Sequence, residues 1–139
     1  MTTPTRTPTP MPRLGRRVLA RAGCAVLVSA SVAHAELIAI AWNTSQRFER
    51  KLSIAPGKFA EVCGALQQGQ HVSWRFDAEG ALNFNIHYHV GKDVHYPARA
   101  DAVRSQHGEL AVPAPQDYCW MWTNKTAGVV ALQLELARK

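Results

Sequence analysis

Leu82-Asn83-Phe84-Asn85-Ile86-His87-Tyr88-His89-Val90 alternates apolar and polar side chains without a break. A period of two puts Leu82, Phe84, Ile86, Tyr88 and Val90 on one face of a strand and Asn83, Asn85, His87 and His89 on the other. Working outward, the same period recurs on both sides. Val72, Trp74 and Phe76 oppose Ser73, Arg75 and Asp77, and Leu132, Leu134 and Leu136 oppose Gln133 and Glu135. In Tyr118 to Trp122, three aromatics alternate with Cys119 and Met121, so both faces are apolar and the strand is expected to be central and buried on both sides.

Helical periodicity is hard to find after residue 36. Strands are read at Leu37–Trp42, Phe48–Ile54, Phe59–Leu66, His71–Ala78, Leu82–Val90, Val94–Tyr96, Glu109–Val112, Tyr118–Thr123 and Val129–Leu136. The breaks carry turn residues: Pro56-Gly57, Gln67-Gln68-Gly69, Glu79-Gly80, Gly91-Lys92-Asp93 and Pro113 to Gln116. Pro97 to Gly108 is the longest stretch without strand pattern and is expected to cross between sheets. The expected fold is all-β, an antiparallel β-sandwich of about eight strands.

The first 35 residues have a different character. Met1 to Pro12 is rich in Thr and Pro, Arg13, Arg16, Arg17 and Arg21 follow, and Val18 to Val32 is largely apolar. Ala33-His34-Ala35 closes the segment with small residues at both positions read by signal peptidase. Residues 1–35 are therefore expected to be a signal peptide and 36–139 the mature domain, periplasmic or secreted. Arg16-Arg17-Val18-Leu19 leaves Sec and twin-arginine export both open. Cys24 has Arg21 where a lipoprotein box needs an apolar residue, so no lipid is expected.

The charge of the chain is +6, from 16 Lys plus Arg against 10 Asp plus Glu. Five of the arginines precede residue 36 and no acid does, which leaves eleven basic against ten acidic side chains beyond it, a charge of +1. No basic patch remains to recognise nucleic acid, and no membrane anchor is expected after signal removal. Two cysteines remain, Cys63 and Cys119, and an even count in an oxidising compartment reads as one disulfide. Closing a loop of that length is worth roughly 4 kcal/mol. A thiolate metal or redox site would ordinarily show a Cys-x-x-Cys pair, which is absent.

Ile54-Ala55-Pro56-Gly57-Lys58-Phe59-Ala60-Glu61-Val62-Cys63 resembles the opening of a GOLD (Golgi dynamics) domain. Leu66 to Phe76, Leu82 to Ile86 with Gly91 to Tyr96, and Tyr118-Cys119 with Asn124 resemble its later motifs, covering about residues 48 to 136. The resemblance implies a disulfide-linked β-sandwich that binds other proteins. The coiled coil, transmembrane helix and cytoplasmic tail of the eukaryotic cargo receptors have no counterpart here, so cargo transport is not implied.

His87, His89 and His95 form the sharpest chemical pattern. His87 and His89 share a strand face. A three-residue loop at Gly91-Lys92-Asp93 would pair His89 with His95 and keep Val94 and Tyr96 on the apolar face, whereas a two-residue turn would send His95 to the other face. The longer loop is expected, which would cluster three imidazoles suited to copper, zinc or nickel, with Met121 a candidate soft ligand. A polar sheet face also collects histidines without any ligand, and His71 and His107 read as ordinary surface residues. Ser73 and Ser105 have no nucleophile-elbow context, Asp77 and Glu79 have no partner that would tune them, and Trp42, Trp74, Trp120 and Trp122 read as core. No enzyme is expected. Two functions compete: a non-catalytic exported sandwich that binds a protein or other periplasmic ligand, and a periplasmic copper- or zinc-binding protein using the histidines. No cofactor is otherwise implied.

Overall fold

The computed structural model describes residues 36–139, together with the isolated Thr3; the expected leader, its arginines, Cys24 and the expected cleavage site at Ala33-His34-Ala35 lie outside the described residues. Seven strands follow one another: β1 Glu36–Ala39, β2 Arg47–Ile54, β3 Phe59–Leu66, β4 His71–Val90, β5 Asp93–Ala111, β6 Gln116–Thr123 and β7 Val130–Arg138. They form one sheet in the order β1-β3-β6-β4-β7-β2, with β5 along the other side of β4. Among the described residues no helix is long and apolar enough to cross a membrane. The fold is all-β, as the alternation predicts, with one departure: β1 pairs β3 in parallel, and the remaining ladders are antiparallel.

The sheet becomes two facing layers because β4 bends. Its first half, Val72–Ala78, pairs β7, and its second half, Asn83–His87, pairs β6. Trp74 and Phe84 stand ten residues apart, roughly 33 Å along a straight strand, yet their ring centroids are 5.1 Å apart. Phe76 lies 4.9 Å from Phe84 and 5.5 Å from Trp122. The inward set stays in phase through the bend, so one apolar face, running from Val72 to Ile86, lines the inside of the fold.

Glu79-Gly80 is therefore not a turn between two strands but the corner of one. Gly80 falls on the inner face at the fold line, where an added Cβ would stand 2.8 Å from Val130 Cγ2. Glycine lets the two layers close at that point.

Pro97 to Gly108 is strand as well, the body of β5. It shows little alternation because β5 pairs only β4 and most of its side chains are exposed. Backbone pairing holds it, and hydrophobic pattern does not report that. Pro97 is accommodated at a register shift, where Ile86 pairs Ala98 and Tyr88 pairs His95. A second shift places Ala102 at φ 53°, with its N–H donating to Asn83 Oδ1 at 3.1 Å.

Cys63 and Cys119 face each other directly on β3 and β6, Cα atoms 4.1 Å apart, and are joined by a disulfide that closes a separation of 56 residues. At the far end of the domain, Asn124 is fully buried. Its Nδ2 donates to the carbonyls of Ile54 and Gly128, and its Oδ1 accepts from Thr126 N and Oγ1, all within 2.8 Å. One side chain thus ties the end of β2 to the loop before β7.

Candidate functional site

The outer face of the layer built from β3, β6 and the second half of β4 carries the chemistry. Cross-strand pairing sets its rows: Glu61 opposite Met121 opposite Asn85, and Cys63 opposite Cys119 opposite His87. Residues that face one another across antiparallel strands share a face. The disulfide, His87 and Glu61 therefore meet on one surface, although Glu61 and His87 are two strands apart.

His87 sits at the centre, 8% exposed. Its Nε2 lies 3.0 Å from Glu61 Oε1 and its Nδ1 lies 2.8 Å from Asn85 Oδ1. Burial pushes His87 below its ordinary value, His89 adds to that, and the Glu61 carboxylate pulls the other way. His89 follows on the same face, its ring centroid 5.5 Å from that of His87. Met121 belongs to this face too, between Glu61 and Asn85.

His95 does not join them. Gly91 takes φ 60° at the first position of a two-residue Gly91-Lys92 turn, so Val90 pairs Asp93, His89 pairs Val94 and Tyr88 pairs His95. His95 stacks on Tyr88 on the opposite face, centroids 5.0 Å apart and planes 16° apart. The three-residue loop is thus corrected. The hydrophobic criterion for register presumes that one face is buried, and this end of the ribbon is buried on neither. Val90, Val94 and Tyr96 are 46%, 40% and 45% exposed. Tyr96 turns to the outer face, 6.1 Å from His87, with the Arg99 guanidinium 4.2 Å above its ring.

The sequence pattern singled out His87 and His89 but missed Glu61 and Arg99 as their neighbours. Asn85 was legible as sharing the His87 face, since it lies two residues away. Glu61 and Arg99 reach it through pairing with other strands, and nothing local announces that.

The outer face of the other layer holds an open groove of 850 Å³ lined by Arg47, Ser73, Arg75, Asp77, Ser105 and Glu135, among others. Arg75 Nη2 donates to Glu135 Oε1 at 2.5 Å and Arg47 lies 3.7 Å from Glu135 Oε2. These partners neutralise one another, and Arg75 holds the Glu135 carboxyl below its usual range. Among the described residues, no hydrogen bond joins Ser73 or Ser105 to a histidine that could activate it.

No family model matches the chain, and no curated protein matches it. Solved structures do. PliG of Aeromonas hydrophila, a periplasmic lysozyme inhibitor of g-type lysozyme, superposes with a TM-score of 0.59 at 16% identity, over 76% of this chain and 98% of that one. PliG of Salmonella Typhimurium gives 0.54 at 11%, over 75% and 98%. The pre-peptidase C-terminal domain of a Bacillus anthracis collagenase gives 0.53 at 14%, over 76% and 95%. At these identities the likeness is one of fold. None of the three is described as a GOLD domain, so the motifs that resemble one map onto a β-sandwich-like fold shared more widely.

Proposed function

We propose that this protein is a non-catalytic exported β-sandwich that binds another protein through the outer face of β4 and β5. The carrying observation is the end of the β4–β5 ribbon, where Val94 and Tyr96 stand exposed beside His87 and His89, with Arg99 on Tyr96. Tyrosine and arginine are the residue types most enriched at binding hot spots, and stacking on Tyr96 restrains the Arg99 side chain before any partner arrives. The GOLD-like motifs imply protein binding as well. Two structures of similar fold are named as inhibitors of g-type lysozyme, which makes a g-type lysozyme the first partner to test.

Titration calorimetry of residues 36–139 against a g-type lysozyme, with a lytic assay beside it, is expected to show saturable binding and loss of lysis. Tyr96→Ala with Arg99→Ala should weaken binding by about tenfold or more, the loss expected for hot-spot residues. No binding at micromolar concentrations removes lysozyme as the partner. The wider reading is tested by a photo-crosslinking residue at Val94 in exporting cells: no protein adduct there overturns it.

A further inference from the structure

We propose that reduction of the Cys63–Cys119 disulfide uncovers a divalent-metal site made of Cys63, Cys119, His87 and Glu61. The disulfide stands outside the core cluster, with Cys63 half-buried and Cys119 buried. It lies on the outer face, with His87 opposite Cys119 and Glu61 two residues before Cys63 on the same strand. One ligand atom from each of Glu61, His87 and Cys119 lies within 4.8 Å of the other two, and Glu61 Oε1 is 3.0 Å from His87 Nε2. Cys63 is already bonded to Cys119. One sulfur, one imidazole nitrogen and one carboxylate oxygen are therefore gathered on three adjacent strands, and the Cys63 sulfur, bonded to Cys119, must turn towards them once the S–S bond opens.

Metal bonds of about 2.0 to 2.3 Å place tetrahedral ligands under 4 Å apart, so Glu61, His87 and Cys119 must close in by about an ångström while the two sulfurs part from bonding distance. The donor set is that of zinc: two soft thiolates with one nitrogen and one oxygen. Asn85 supplies the outer contact such a histidine uses. Asn85 Oδ1, 2.8 Å from Nδ1, can accept the Nδ1–H when a metal ion takes the Nε2 lone pair, on the nitrogen that in the metal-free protein faces Glu61. The pattern Cys-x-x-Cys is absent because the pairing of β3, β6 and β4 performs the gathering that a short spacing performs elsewhere.

In the oxidised protein the two sulfurs are spent on each other, and only His87 and Glu61 remain. A dithiol reductant changes this. Its two thiols become a disulfide, the S–S bond of the protein breaks, and the two sulfurs take up the two electrons and two protons. Binding of the metal ion then releases those two protons. His95, on the opposite face, takes no part.

Cobalt(II) reports the site in residues 36–139, reduced with a phosphine that does not itself bind metal. The reduced protein is expected to show a thiolate-to-cobalt charge-transfer band and tetrahedral visible bands, both bleached by zinc; the oxidised protein should show neither. His87→Ala and Glu61→Ala should each weaken zinc binding by about tenfold or more, in line with losses at metal-site neighbours, and His95→Ala should not. Absence of the charge-transfer band in the reduced wild type overturns the proposal. So does equal affinity in the wild type and the His87→Ala and Glu61→Ala variants, which would mean metal held by loose thiolates. Circular dichroism covers the remaining case. A reduced chain that is unfolded and stays unfolded when zinc is added also overturns it.

Discussion

Tyr88 and His95 stack face to face across the β4–β5 ribbon, 5.0 Å between centroids, on the side of the ribbon away from His87. His95→Ala should therefore cost about 0.5–1 kcal/mol, the worth of a cross-strand aromatic pair, read as a shift in urea midpoint. It should leave cobalt or zinc titrations of the oxidised protein unchanged. A loss of metal affinity in His95→Ala would restore the three-residue loop and the three-histidine cluster.

Removing the disulfide should destabilise the domain by a few kcal/mol, up to the roughly 4 kcal/mol that loop-closure entropy gives for a separation of 56 residues. Urea unfolding of the Cys63→Ser/Cys119→Ser variant checks this. A change under about 1 kcal/mol would mean that the denatured chain already holds these strands close.

Gly80 and Val130 meet at the corner of β4. Gly80→Ala is expected to cost about 1–3 kcal/mol, because the new methyl must push Val130 out of a packed core. Adding Val130→Ala should return part of that loss, so the two changes are non-additive in a double-mutant cycle. Strict additivity would show that the corner closes by some other contact.

Asn124→Leu removes two donors and an acceptor that serve Ile54, Gly128 and Thr126. Each buried partner left unpaired costs about 1–3 kcal/mol, so this surface-remote change should rank among the most damaging single substitutions. Thermal unfolding measures it; a midpoint within a degree of wild type would contradict the bonding described.

The pH dependence of stability follows from His87. Burial lowers its value in the folded state below the ordinary 6.5, so the unfolded chain takes up the proton first. Stability is fully present above pH 6.5, falls as pH drops below it, and stops falling from this source once the folded His87 is itself protonated. Denaturant titrations between pH 8 and 5 should show a decline that His87→Gln flattens. An equal decline in the variant would assign it to other groups. At lower pH the Arg75–Glu135 pair adds a second loss, present above the ordinary carboxyl value and lost as pH falls through the lowered one.

Local alternation was enough to establish an all-β chain, most of its inward-facing residues and the central place of Tyr118–Trp122 between β3 and β4, because burial of one face imprints period two on the sequence itself; burial of that strand on both sides is not seen, since Met121 on its outer face is only half-buried. Val72, Trp74, Phe76, Leu82, Phe84 and Ile86 were all legible in this way and all are core. The pairing of Cys63 with Cys119 needed only a count, once Cys24 was assigned to the leader. What the sequence left open are matters of which strand lies beside which. β5 was hidden because an exposed edge strand is held by backbone hydrogen bonds, which carry no side-chain pattern. The corner at Gly80 looked like a turn because glycine serves both purposes, and only contact with Val130 tells them apart. The register of the β4–β5 ribbon was not legible because neither face of its end is buried, leaving the choice to the backbone of Gly91. Glu61 reached His87 only through β6, across two ladders. Neighbours along one strand are written in the sequence; neighbours across strands exist only once the sheet has formed.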